Sequence, residues 1–178
     1  SMGLYRNLCA CTVNGVMADV RTELNEDCEV NLLTFESEEG KHAFWHTASH
    51  ILAQAVKRLY PETKLAIGPA IDNGFYYDFD VEKPFTDEDK AKIEEEMKKI
   101  IKEDLLVERF ELPRVEALKL MSDMGEDYKV ELINELPEDS IISFYKQGDF
   151  VDLCAGPHLA STGKVKAIKI LSSSGAYW

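Results

Sequence analysis

Two histidines four residues apart, in His46-Thr47-Ala48-Ser49-His50, are matched far downstream by Asp152-Leu153-Cys154-Ala155-Gly156-Pro157-His158. In a helix, side chains at i and i+4 share a face with Cβ atoms roughly 5–6 Å apart, so His46 and His50 can point at a common atom. Cys154 and His158, again four apart, add a thiol and a third imidazole. Such a set binds a borderline-soft metal such as zinc, or moves protons and polarises water when no metal is present.

The elements that must hold these groups can be read from the surrounding pattern. On a helical wheel of residues 44–60, Trp45, Ala48, Leu52, Ala55, Val56 and Leu59 form one apolar arc, as for a helix packed on a core. His46, His50, Ala53 and Lys57 fall roughly opposite, at ~100° per residue, so the histidines are expected off the core face. A pair of surface histidines is the plain reading of His46 and His50 alone; the second matched pair weakens it. At the other end, residues 141–145 and 149–154 read as strands around Gln147-Gly148. A side-chain period of two puts Asp152 and Cys154 on one face, ahead of a bend that presents His158.

Between these ends, residues 65–69 and 75–80 flank a turn at Asp72-Asn73-Gly74 and predict a hairpin with Phe75, Tyr77 and Phe79 on a core face. Thr86 is an N-cap for an amphipathic helix carrying Ile93, Met97, Ile100 and Ile101, with Glu94–Lys98 and Glu95–Lys99 as supporting pairs. A strand over 107–111, a helix from Pro113 to Met124, a short helix over 127–136 and a last strand over 165–171 complete this part. Residues 1–35 contain short apolar runs around Asn14-Gly15, a β-rich unit too small for its own core. Ser37 to Lys41 is polar and reads as a linker, giving units at 1–36 and 41–178. The expected class is α+β, an antiparallel sheet packed with helices, preceded by a partial β-grasp-like unit.

The chain has 178 residues, 45% hydrophobic and 30% charged, and a formal net charge of −13. That balance predicts a soluble globular protein and argues against a free-standing, non-specific nucleic-acid binder, whose affinity would come from Lys and Arg. It leaves room for a domain that receives the end of a nucleic acid held elsewhere; Lys164, Lys166 and Lys169 form a small basic run. No apolar run long enough for a membrane span and no signal segment is present, so the cytoplasm is expected, with no membrane partner. The four cysteines are unevenly spaced and read as reduced thiols, with Cys9 and Cys11 as packing residues.

Several chemistries are excluded. The spacing of His46 and His50 matches the zinc-protease motif, but Thr47 stands where the general-base Glu is required. A nucleobase deaminase needs His-x-Glu with Cys-x-x-Cys, and a serine hydrolase needs a nucleophile elbow; neither occurs. Hydrolysis of an activated ester or amide by water held among histidines survives, with or without zinc. At these residues a resemblance emerges. His46 to His50 after Phe44-Trp45, the run from Ala66 to Phe79, the run from Asp149 to His158, and Gly175-Ala176-Tyr177-Trp178 resemble the editing region of bacterial threonyl-tRNA synthetases. They are similar, more loosely, to the second additional domain shared with alanyl-tRNA editing proteins. Residues 1–35 resemble the later half of the small ubiquitin-like domain that precedes it.

The resemblance implies removal of serine wrongly attached to threonine tRNA. One missing methyl costs only ~1–3 kcal/mol of discrimination, so a second site must hydrolyse the smaller product. It further implies that His46 or His50 orients the attacking water, with His46 as base. Asp152 would hold the amino group of the seryl moiety, and Cys154 and His158 would shape the leaving-group side. Lys129 would reach the terminal adenosine, although a solvated helix lysine is its plain reading. His42 lies outside the motif and reads as a residue at the helix start. In the alanyl branch the quartet His46, His50, Cys154 and His158 would bind zinc. The threonyl branch implies metal-free water activation, and that is the expectation adopted. No aminoacylation is expected of these 178 residues; ATP would belong to a catalytic domain of the parent synthetase, itself a homodimer through that domain. The reading from a different class is a non-catalytic tRNA-binding or zinc-binding module.

Overall fold

The computed structural model describes residues 4–175, and it places one long helix at the centre. That helix, α1 (Glu38–Leu59), begins where Ser37 caps it by accepting from the Gly40 amide at 3.0 Å. The polar segment expected to be a linker is therefore the cap and first turn of a helix. Its serine and acids are residues that stabilise a helix N-terminus.

Before α1 lie three short strands, β1 (Leu8–Val13), β2 (Val16–Ala18) and β3 (Val30–Thr34), in an antiparallel sheet of order β2-β1-β3. Asn14-Gly15 makes the expected β1–β2 turn, with both residues at positive φ. Cys9 and Ala10 of β1 join Ala43, Ile51, Ala55 and Val56 of α1 in the main core.

After α1 the hairpin forms as expected, in two short rungs. Strand β4 (Lys64–Leu65) pairs with β7 (Phe79–Asp80), and β5 (Ala70–Ile71) pairs with β6 (Gly74–Phe75). Next comes α2 (Asp87–Glu103), opened by a reciprocal capping box between Thr86 and Asp89. Ile93, Met97 and Ile100 of α2 pack into the main core, while Arg58 of α1 grips Glu103 through two hydrogen bonds of 2.8 and 2.9 Å. The expected i, i+4 pairs on α2 are replaced by Glu95–Lys98 and Glu96–Lys99, while Glu94 reaches Lys169. The chain distant in sequence offers Glu94 a cation from a different direction.

The second layer contains β8 (Val107–Glu111), α3 (Arg114–Asp123), α4 (Asp127–Glu135), β9 (Ser143–Gln147) and β10 (Phe150–Leu153), with an antiparallel sheet ordered β10-β9-β8. Ala117, Met121 and Ile133 cover one face of that sheet through Ile142 and Phe144. The sheet's other side approaches α1, where Phe150 meets Ala53, Leu65 and Tyr77. The α+β class is thus as expected. The strand expected over 165–171 does not form: those residues carry no ladder partner, although Val165 is buried and Ile168 and Ile170 lean on the main core. The apolar residues Val165, Ile168 and Ile170 are accommodated by packing alone. Residues 176–178 of the Gly-Ala-Tyr-Trp motif lie outside the described residues.

Met97 is fully buried where α2 meets α1. Met97→Ala is expected to lower unfolding free energy by about 2–5 kcal/mol, read as a fall in urea midpoint, whereas the exposed Lys98→Ala should shift it little.

Candidate active site

The side of α1 facing away from the main core is covered as well, and this corrects the wheel. His50 is 2% exposed and Ala53 is fully buried, because the hairpin and β10 close over them. A helix covered on two sides has no solvent face for His50 to occupy. His46, one turn earlier, is only partly covered.

All six residues expected in the site come together. One ligand atom from each of His46, His50, Cys154 and His158 lies within 4.8 Å of every other. The Cys154 sulfur sits 3.2 Å from His46 Nε2 and 3.1 Å from His158 Nε2. The rings pack as well: His158 lies 4.4 Å from His46 and 4.3 Å from His50, centroid to centroid. Beside this cluster the buried Asp152 carboxylate binds Lys129 Nζ at 2.9 Å, and its second oxygen accepts from the Tyr77 hydroxyl at 2.6 Å. His50 Nε2 approaches that second oxygen at 3.4 Å. Lys129, expected either in the site or in solvent, is 4% exposed and in the site. Two lysines of the basic run are otherwise engaged: Lys164 bonds the Tyr5 carbonyl and lies over its ring, and Lys169 pairs with Glu94.

Several supporting residues carried no signal of this role in the sequence. Tyr77 packs in the core as expected, but its hydroxyl also reaches Asp152. Asp19, just after β2, accepts from the His158 amide at 2.9 Å and from the Tyr145 hydroxyl at 2.7 Å. Glu126, at the cap of α4, pairs with Lys57 at 2.8 Å and accepts from the Leu65 amide at 2.9 Å, fixing the helix that carries Lys129. Gly156 has φ +73°, and a Cβ there would stand 2.0 Å from the Tyr145 hydroxyl, so the bend before His158 admits no side chain. An acid or a tyrosine far from the motif is common on any surface; only the fold shows where it points.

Comparison with known proteins gives the same placement. Residues 142–176 match the family described as the threonyl and alanyl tRNA synthetase second additional domain. Over all 178 residues the chain is 68% identical to a threonine–tRNA ligase of Acetivibrio thermocellus, 66% to one of Clostridium tetani and 64% to one of Clostridioides difficile. The chain is similar along its whole length to a segment of these threonine–tRNA ligases. It spans 28% of the length of these curated relatives.

Within the site, burial sets the protonation states. Loss of solvent pushes His46 down to about 3, helped by the positive charge that His50 and His42 would carry. Burial likewise pushes His50 down to about 4, against the pull of Asp152, and lowers His158 well below the usual imidazole range. It raises the Cys154 thiol to about 12, despite a hydrogen bond from the Gly156 amide. For Asp152, burial acts upward, but Lys129, His50 and the Tyr77 hydroxyl outweigh it and hold the carboxyl below its ordinary value. At neutral pH the cluster is three uncharged imidazoles and a thiol, next to one buried ion pair.

Such a set can orient water through imidazole lone pairs, and its donors suit zinc. Tetrahedral zinc with bonds near 2.0–2.3 Å needs donor atoms roughly 3.3–3.7 Å apart, close to the Cys154–His46 and Cys154–His158 separations. His50 Nδ1 is buried without a hydrogen-bond partner among the described residues, so it has bonding capacity for water, substrate or metal.

The depressed imidazoles predict an acid-sensitive fold. Unfolded, each histidine gains a proton near pH 6.5; folded, His46 and His50 resist until about 3 and about 4. Below pH 6.5 the unfolded state therefore binds more protons and stability falls, at ~1.4 kcal/mol per pH unit per imidazole. Urea midpoints are expected to drop between pH 6.5 and 4.5, and to drop less in His50→Gln; parallel curves for the two proteins would contradict this.

Proposed function

We propose that the chain is the proofreading part of a threonine–tRNA ligase, hydrolysing the ester that joins serine to threonine tRNA. The observation that carries this reading is the convergence of His46, His50, Cys154 and His158 beside a buried, ion-paired Asp152. The demand for such an activity is physical. A synthetic site built for threonine gains too little from one methyl to exclude serine, so a second site must accept the smaller residue and release it.

In this reading His46, the imidazole left partly open, orients the attacking water through a ring lone pair. With its pKa near 3 it is a weak base, so it serves chiefly to place the water's oxygen against the ester carbonyl. Asp152 presents its carboxylate to the His50 ring and attracts the seryl ammonium. Lys129 holds that carboxylate and reaches toward the terminal adenosine. The neutral Cys154 thiol and His158 line the leaving-group side.

Zinc, where bound, would be held by His46, His50, Cys154 and His158, and would supply a water of lowered pKa if one ligand yields its place. The favoured reading is metal-free. Four protein donors within 4.8 Å of one another also suit a closed, structural zinc site, and that donor set supports the second reading, a zinc-binding module without hydrolytic activity.

The rest of the assignment follows from the same reading. Residues 1–36 are a partial ubiquitin-like unit and 41–178 the editing domain. The partners are the acceptor end of threonine tRNA carrying serine and the remainder of the ligase, which uses ATP and dimerises through its own catalytic domain, in the cytoplasm. Among the described residues, no helix is long and apolar enough to cross a membrane.

The test uses the chain alone and the chain spliced in place of its counterpart in the Acetivibrio thermocellus ligase. Serine is expected to leave seryl-tRNA faster than threonine leaves threonyl-tRNA, His46→Ala to slow that release by about 10²-fold, and a chelator to leave it unchanged. Equal release of the two amino acids refutes proofreading. Loss of a stoichiometric zinc with no deacylation in either form supports the second reading.

A further inference from the structure

Thr47 stands between the two histidines of α1, fully buried, and its hydroxyl makes three contacts. Oγ1 lies 3.1 Å from the Ala43 carbonyl oxygen one turn back, 2.9 Å from the Leu159 amide nitrogen and 3.0 Å from His158 Nδ1. The Leu159 N–H donates to the hydroxyl, and the hydroxyl has one proton to give. If that proton went to His158 Nδ1, Oγ1 and the Ala43 carbonyl would face each other at 3.1 Å with no hydrogen between them. If it goes to Ala43, every contact holds a proton: His158 Nδ1–H donates to Oγ1, Leu159 N–H donates to Oγ1, and Oγ1–H donates back along the helix. Burial makes that difference decisive, since an unmatched polar contact there cannot be relieved by solvent.

We infer that Thr47 is a positioning residue, fixing His158 as the Nδ1–H tautomer and so leaving a lone pair on Nε2, the atom 3.1 Å from the Cys154 sulfur. Which ring nitrogen carries the proton is set by the partner of the other one, and here that partner is a helix hydroxyl. His158 Nε2 then accepts from the thiol or from a water in the cluster, and it is the nitrogen that would bind a metal there. The Asp19 carboxylate on the His158 amide fixes the backbone from the opposite direction, so ring position and ring protonation have separate anchors. The residue whose identity ruled out a metalloprotease thus has a function of its own.

Histidine-selective 15N labelling of the 178-residue chain tests this, with long-range 1H–15N spectra reporting the His158 tautomer. The wild-type chain and Thr47→Ser are expected to show one tautomer, protonated at Nδ1. Thr47→Val, which keeps the shape and removes the hydroxyl, is expected to lose that single form. An Nε2–H ring in the wild-type chain overturns the inference, as does an unchanged spectrum in a folded Thr47→Val. Should Thr47→Val fail to fold, the wild-type tautomer and its retention in Thr47→Ser still decide. The kinetic arm rests on the proofreading reading: Thr47→Val should lower kcat for seryl-tRNA about tenfold with KM little changed, and Thr47→Ser should restore it. If the spectra agree while wild type releases no serine, the tautomer assignment stands and the proofreading reading falls.

Discussion

The ion pair between Asp152 and Lys129 is the contact on which the other arrangements depend. Both groups are nearly sealed from solvent, and a buried charge left unmatched costs several kcal/mol. The pair therefore requires its surroundings to close properly. Lys129 must arrive from α4, and α4 is held by Glu126 through Lys57 of α1 and the amide of Leu65. Asp152 must arrive from β10, with Tyr77 of the hairpin and His50 of α1 on its second oxygen. Four separate elements are thus fixed relative to one another by the demands of one carboxylate. The imidazoles benefit from this closure: they share a dry compartment whose net charge is settled by the pair.

The sequence made much of this legible, because the relevant signals are local. Spacing of four puts His46 with His50 and Cys154 with His158 in any helix or tight bend, and strand alternation puts Asp152 beside Cys154. Caps and turns marked α2, the β1–β2 turn and the hairpin for the same reason. The signals failed where the deciding partner was distant. The wheel of α1 assumed one buried face, and nothing in residues 44–60 announces that β10 will cover the other. The run 165–171 is apolar enough to read as a strand but finds no ladder partner. Asp19 meets the His158 amide and the Tyr145 hydroxyl across more than a hundred residues, a distance over which composition carries no information. Lys129 was placed by resemblance alone; its helix position is as compatible with water as with Asp152.

The overall charge of −13 and the neutrality of the compartment act on different scales. Around the molecule, excess carboxylates repel a polyanion that approaches without other anchorage. Inside the cluster, burial removes the charges that imidazole and thiolate could have carried. A phosphate backbone would gain little here, whereas a neutral ester with a single ammonium nearby would meet one carboxylate and no competing cation except Lys129. Under the proofreading proposal, the ester would therefore be delivered by a carrier bound elsewhere.

The two halves of the cluster are separated by 108 residues between His46 and Cys154. During synthesis at ~5–20 residues per second, His46 is made roughly 5–20 s before Cys154 exists. Over that interval the histidines are ordinary solvated imidazoles, free to take protons or bind passing metal ions. Only when β10 docks does the compartment dry out and the set lose its solution chemistry. The order of emergence makes the completed site a late reporter of folding: a chain whose imidazoles resist protons down to about 3 and about 4 is one in which α1 and β10 have already met.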